Sequence, residues 1–205
     1  MRWGILCINS LGGVRLKFVC VDCDGVLIDF CGGIKQYLND KNIEFKPECV
    51  TSYSFKGDIG CDRSEIFKAM NDEELYTYLQ PYDNIETSLL LLACNDIETK
   101  AYTGSVDLPK AIEIRRKFIN RYNLNSGDIY IGNKPVVLEA DALFDDCLAV
   151  HKEWIEAGYN GKLFLIDHTY NNEENNPDFP YFDKVIRCKD FEDAVEKYLG
   201  YSNLN

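Results

Sequence analysis

At 205 residues the chain has room for one large domain, or for one good core with a smaller insert. A hydrophobic share of 46% and a charged share of 27% are those of a globular protein, and a formal charge of −12 argues against a nucleic-acid polymer or an anionic membrane as partner. A small anionic substrate remains compatible, because a bound metal and a few cations can reverse the field inside one pocket.

No run is long enough to span a membrane, and the opening Met1–Ile8 stretch is too short for a signal-peptide core. Nine cysteines lie scattered, mostly inside apolar runs such as Leu91–Cys94. They read as buried thiols of a reducing, cytoplasmic compartment. Cys20 and Cys23 form a C-x-x-C, but residues three apart on a strand face opposite ways, so a shared metal or disulfide is not expected there.

Gly12-Gly13 suggests a loop before a first core strand, Leu16 to Val21. That apolar run ends in Asp22-Cys-Asp24-Gly25-Val26-Leu27. On an extended backbone Asp22 and Asp24 share one side, and two close acids repel unless a cation or a proton separates them. A calcium loop opens the same way, but here the chain continues with apolar Val-Leu-Ile instead of further oxygen ligands.

Gly32-Gly33 suits a hinge before an amphipathic helix. Asp62-Arg-Ser-Glu65 has the spacing of a capping box opening a helix to Met70, and Asn71–Glu74 opens another through Leu79. Pro81 marks a break. No central strand is legible between these points, so residues 32–83 read as a small helical cap inserted in a core made of 1–31 and 84–205.

A leucine-rich helix follows over Thr87–Asn95, then a strand from Ile97 to Tyr102 that ends at Thr103-Gly104-Ser105. Pro109 starts a basic helix to Tyr122, where Arg115, Arg116 and Lys117 read as a solvated face. Asp128–Gly132 is a strand and Asn133-Lys134-Pro135 a turn. Ala142–Phe144 is a strand closed by Asp145-Asp146, and a helix to Glu156 follows. Lys162–Asp167 is a strand, Asn171–Pro177 a polar loop, Lys184–Cys188 the last strand, and Asp190 caps a closing helix to Leu199. Strands alternating with helices predict an α/β fold: a Rossmann-like parallel sheet sandwiched by helices.

A parallel sheet brings its strand C-termini to one edge. Asp22, Asp24, Thr103, Gly104, Lys134, Asp145 and Asp146 can therefore converge. Carboxylate oxygens suit Mg²⁺, a hard cation that also accepts phosphate oxygens. A lysine and a hydroxyl suit the remaining phosphate oxygens. Each residue also has a plainer role: Thr103 and Lys134 as turn residues, and the Asp145-Asp146 pair as a cap on the following helix.

The order Asp22-x-Asp24-Gly-Val-Leu, Thr103, Lys134, Asp145-Asp146 resembles the haloacid dehalogenase superfamily. More narrowly, residues 22–33 and 134–146 resemble the 5'(3')-deoxyribonucleotidases. The resemblance implies an Mg²⁺-dependent phosphomonoesterase acting on nucleoside monophosphates. Asp22 would be the nucleophile, and Asp24 the acid and then the base. Asp22, the Asp24 carbonyl, Asp145 and Asp146 would form the metal site, with the direct ligand of the last pair left open. Thr103, Gly104 and Lys134 would hold the phosphoryl group. Phe30, Tyr53 and Phe55 would contribute to the substrate pocket, although core packing is an alternative for the last two. The cap contains no tryptophan, and Thr103-Gly-Ser departs from the family's usual sequence there. Homodimerisation stays open. The rival readings are a phosphatase of another small phosphate, such as a sugar phosphate, and a non-catalytic binding protein that kept the fold.

Overall fold

The computed structural model describes residues 17–124 and 128–202. The Gly12-Gly13 loop and the start of the first predicted strand lie outside them. Six strands form one sheet: β1 (Phe18–Val21), β2 (Glu98–Ser105), β3 (Asp128–Ile131), β4 (Ala142–Asp145), β5 (Lys162–Ile166) and β6 (Ile186–Cys188), in the order β3-β2-β1-β4-β5-β6. All the pairings are parallel, and Val21 lies beside both Ala101 and Phe144. The tips of β1 and β4 therefore end side by side, while β2 runs on past Ala101 to Ser105.

The helices are α1 (Phe30–Asp40), α2 (Arg63–Met70), α3 (Ile85–Cys94), α4 (Pro109–Arg121), α5 (Leu148–Glu156) and α6 (Phe191–Ser202). Strand alternation divides the core. Val19 and Val21 pack with Phe144, Phe164, Leu92 of α3, Phe118 of α4 and Val195 of α6. Cys20 points the other way, into a layer with Leu143, Leu165 and Trp154 of α5. The sheet is thus covered on both faces, as the alternating sequence pattern predicts.

Between Phe30 and Tyr82 the chain builds most of a second apolar cluster, with Ile34, Leu38, Phe45, Ile66, Leu75 and Tyr76 among its buried members, which Ala111 of α4 and Tyr170 complete. The segment's entrance and exit run together. Asp29 N–H donates to Gln80 O at 2.9 Å, and Tyr82 N–H donates to Leu27 O at 3.0 Å.

Local details differ from the sequence expectations. Gly32 and Gly33 are not a hinge; they lie in the first turn of α1. The Asp29 carboxylate accepts the Gly32 N–H at 2.8 Å and caps the N-terminus of the helix, which starts it at Phe30. Gly33 sits so close to Leu79 that a Cβ there would come within 2.5 Å of its side chain. Helix α2 forms where expected, but Asp62 makes no side-chain cap, so the capping box is not built. The helix expected after Asn71 is a 3₁₀ turn at Leu75–Thr77, because Asp72 spends its carboxylate on the Glu74 N–H at 2.9 Å and on the Tyr37 hydroxyl. Asp190 does cap α6, accepting the Asp193 N–H at 2.9 Å. No described helix is long and apolar enough to cross a membrane.

Candidate active site

β1 ends at Val21, and the ladder continues one step, with Asp22 N–H donating to Phe144 O at 2.9 Å. The chain then folds back. Leu27 and Ile28 both donate to Cys23 O, at 2.8 and 2.7 Å. Gly25 turns with φ +78°, and a Cβ there would meet Asp146 Oδ2 at 2.4 Å, so only glycine fits. This tight loop corrects the simple picture of two acids on one extended edge. Asp22 and Asp24 still line one cleft, but each meets a different cation.

Lys134 serves Asp22. Its Nζ lies 2.6 Å from Asp145 Oδ2 and 3.2 Å from Asp22 Oδ2, over the Tyr102 ring, and its side chain is 9% exposed. Burial opposes its charge, but Asp145 and Asp22 more than compensate and raise its pKa well above the ordinary lysine value. The remaining oxygen of Asp145 accepts the Cys147 N–H at 2.8 Å, just ahead of α5. Asp146 Oδ2 accepts from the Tyr170 hydroxyl, whereas its Oδ1 is buried without a partner. One oxygen from each of Asp22, Asp145 and Asp146 lies within 4.8 Å of the others. Burial, then Asp145 and Asp22, raise the Asp146 carboxyl well above its usual range.

This donor set fits Mg²⁺: hard oxygens, crowded negative charge, and one orphaned carboxylate oxygen. Asp145 is held by Lys134 and the Cys147 N–H, Asp22 by Lys134 and the Cys23 N–H at 2.8 Å, and only Asp146 keeps an oxygen with no partner. The Asp24 carboxylate is not part of the three-acid group and pairs with Arg115.

A cleft of about 360 Å³ is lined by Asp22, Asp24, Gly104, Ser105, Lys134 and Arg115, together with Phe30 and Tyr53. Thr103 is fully buried, and its hydroxyl donates to Gly104 O at 3.2 Å. β2 runs on through Ser105, so Gly104 and Ser105, not Thr103, form the cleft wall. A second pocket of about 280 Å³ adjoins Asp24 and Asp146 and is walled by Phe30, Tyr53, Phe55, Phe67 and Tyr170. Tyr53 is 60% exposed, whereas Phe55 is buried against Phe45 and Phe67 and takes φ +55°. Phe30 and Tyr53 line both spaces.

No family model matches the chain, and no curated protein matches it. Solved structures do. A HAD family hydrolase from Deinococcus radiodurans R1, crystallised with phosphate and sodium, is 12% identical, with a TM-score of 0.58, over 92% of this chain and 97% of that one. A putative beta-phosphoglucomutase from Thermotoga maritima is 14% identical, with a TM-score of 0.54, over 90% and 99%. Protein Tyrosine Kinase A from Mycobacterium tuberculosis gives the same figures: 14%, 0.54, 90% and 99%. The fold is that of the haloacid dehalogenase-like proteins.

Within this HAD-like fold, sequence reading missed several residues at the strand tips. Arg115 stood in a charge run, yet it shares a helix face with buried Ala111, Phe118 and Ile119, spaced four, three and four residues from it. That helical phase was the available signal. His168, Tyr170 and Asn171 follow β5, where the chain read as an ordinary polar loop. His168 Nε2 donates to Gly25 O at 2.7 Å, and the ring stacks on Tyr170. Burial lowers the His168 pKa, with the Gly25 carbonyl pulling the other way. Asn171 is buried and donates to Asp146 O at 2.8 Å and to Ile166 O at 2.7 Å. No local pattern announces these contacts, because they join strand tips distant in sequence.

Proposed function

We propose that the protein is a Mg²⁺-dependent phosphomonoesterase that hydrolyses nucleoside monophosphates through an aspartyl phosphate. The observation that carries this reading is the knot of Asp22, Asp145 and Asp146 closed by Lys134 at the tips of β1 and β4. Such a knot is costly unless an ion and a phosphoryl group complete it.

In this reading an oxygen of Asp22 attacks phosphorus, and the bond to the leaving oxygen breaks. Asp24 gives that oxygen a proton. Water then attacks phosphorus and loses its proton to Asp24, freeing Asp22 and phosphate. Lys134 and the backbone around Gly104 hold phosphoryl oxygens, with Thr103 supporting that turn from beneath. Asp22, Asp146 and the Asp24 carbonyl would hold Mg²⁺, which when bound neutralises the clustered oxyanions. His168 and Tyr170 fix the Gly25 loop and Asp146 beside them.

Residues 32–83 would act as a cap whose apolar pocket takes the base. Phe30, Tyr53 and Phe55 support a leaving nucleoside that carries an aromatic base, since bases stack on such faces. A sugar phosphate, the alternative, would want a ring of hydrogen-bonding groups, and the hydroxyls of Ser52 and Ser54 are already engaged with each other. A neighbour of the same fold holds phosphate.

The test is phosphate release, with Mg²⁺, from a panel of nucleoside and sugar monophosphates, by the wild type and by Asp22→Asn. Loss of all release in Asp22→Asn is expected; equal rates would end the proposal.

A further inference from the structure

α4 sends Arg115 into the cleft from the side opposite Lys134. Its side chain is 3% exposed, and its Nη2 pairs with Asp24 Oδ2. Nη1 donates to Ala111 O at 3.3 Å, and the guanidinium lies over the Tyr76 ring, 5.3 Å from its centre. Tyr76 is itself buried and anchored, donating to Met70 O at 2.8 Å. The cation is therefore held by the helix, by an aromatic face of the 30–82 segment and by one acid. Two buried polar atoms in this pair have no partner: Arg115 Nε and Asp24 Oδ1.

A buried ion pair is poor evidence of a stability role, because desolvation cancels most of its attraction. The rest of this α4 face is Ala111, Phe118 and Ile119, and an apolar residue at 115 would suit it. The same cleft already has a cation, Lys134, committed to Asp22 and Asp145. Arg115 holds Asp24 apart from that cluster. Its planar guanidinium is pinned through Nη1 to the Ala111 carbonyl and meets Asp24 through Nη2, a two-point hold that a lysine cannot copy.

We propose that Arg115 is the positioning residue for Asp24, tying Oδ2 so that Oδ1 carries the proton exchanged with the substrate. The inference rests on the phosphomonoesterase reading above. In the first half-reaction Oδ1, which takes up a proton from solvent while Oδ2 stays on Arg115, passes that proton to the leaving oxygen, which keeps the electron pair of the broken P–O bond. Asp24 becomes a carboxylate facing a fixed cation. In the second half-reaction the attacking water returns a proton to Oδ1.

The experiment compares kcat/KM, which reports formation of the phosphoenzyme, for two esters. A nucleoside 5'-monophosphate has an alkoxide leaving group that needs a proton. 4-Nitrophenyl phosphate has a phenolate that leaves without one. Arg115→Met is expected to lose about a hundredfold on the first and less than about threefold on the second, the range general acid catalysis supplies. Arg115→Lys, which keeps the charge without the two-point hold, is expected between the two and covers the case in which Arg115→Met folds poorly. Equal losses on both esters, or none on either, overturn the proposal. The enclosing reading fails separately, if Asp22→Asn leaves release from both esters unchanged. A readout without turnover is a crystal structure of Arg115→Met, in which Asp24 should turn away from α4; an unmoved carboxylate overturns the positioning role.

Discussion

The strand tips and the wall above them are built on opposite principles. At the tips Asp22, Asp145 and Asp146 are each less than 5% exposed, and one lysine pairs with the first two, so charge is crowded where water cannot relieve it. Above them Phe30, Tyr53, Phe55 and Phe67 offer apolar faces, and Tyr53 stays 60% exposed. The charged half is fixed by parallel strands and a glycine loop in which each position constrains the next. The apolar half hangs on short helices, 3₁₀ turns and loops that allow exchange of side chains. In the proposed enzyme the first half carries out the chemistry and the second chooses the leaving group.

Lys134→Met breaks the charged half most severely. It strands Asp22 and Asp145 without their buried counter-charge, which costs about 3–5 kcal/mol when one partner of a buried pair is removed. Phosphate release should fall at least about a hundredfold, the scale of losing one aligned donor to a phosphoryl or oxyanion group. Urea unfolding and a phosphate assay check the two effects. An unchanged unfolding midpoint would mean that the three acids do not depend on Lys134.

The same crowding predicts an unusual pH dependence in metal-free protein. Burial foremost, then Asp145 and Asp24, push Asp22 up to about 7 from 3.8, with Lys134 pulling the other way. Between those values the folded chain keeps a proton that the unfolded chain has released. The Asp22 contribution to folding stability, read as wild type minus Asp22→Asn, should therefore fall as pH rises from about 4 to about 7. Saturating Mg²⁺ should reverse that slope, because cation binding favours the deprotonated acids. Thermal unfolding across this range, with and without Mg²⁺ and with Asp22→Asn as control, measures it. A metal-free difference between wild type and Asp22→Asn that does not fall with rising pH would contradict the crowding.

The charged half was largely legible from the sequence, and the apolar half much less so. Asp22, Lys134, Asp145 and Asp146 follow apolar runs or occupy turns, and a parallel sheet must bring such positions to one edge. Arg115 escaped because its neighbours Arg116 and Lys117 are exposed, and only helical phase separates it from them. Thr103 was placed on the expected strand, but where that strand stops decides which residue reaches the cleft, and it runs two residues further. Tyr170 and Asn171 were invisible because their partner, Asp146, is a strand away. The turn at Ser52–Phe55 depends on a positive φ at Phe55, which no local signal predicts for a bulky aromatic.

Tyr53→Ala is the gentlest way to sharpen the comparison, because it removes an aromatic face and leaves every acid and cation of the charged half in place. Tyr53 edges Tyr170 with ring centres 6.0 Å apart and stands at the junction of the two pockets. Its exposure means that little packing is lost, so the unfolding midpoint should barely move. Loss of one aromatic face against a base is worth about 1–3 kcal/mol. KM for a nucleoside monophosphate should then rise about tenfold, with kcat nearly unchanged, as expected when uniform binding is removed. A phosphate ester too small to reach the pocket should show no change. If kcat instead falls equally on large and small esters, Tyr53 belongs with the acids beneath it and the division between the two halves is drawn in the wrong place.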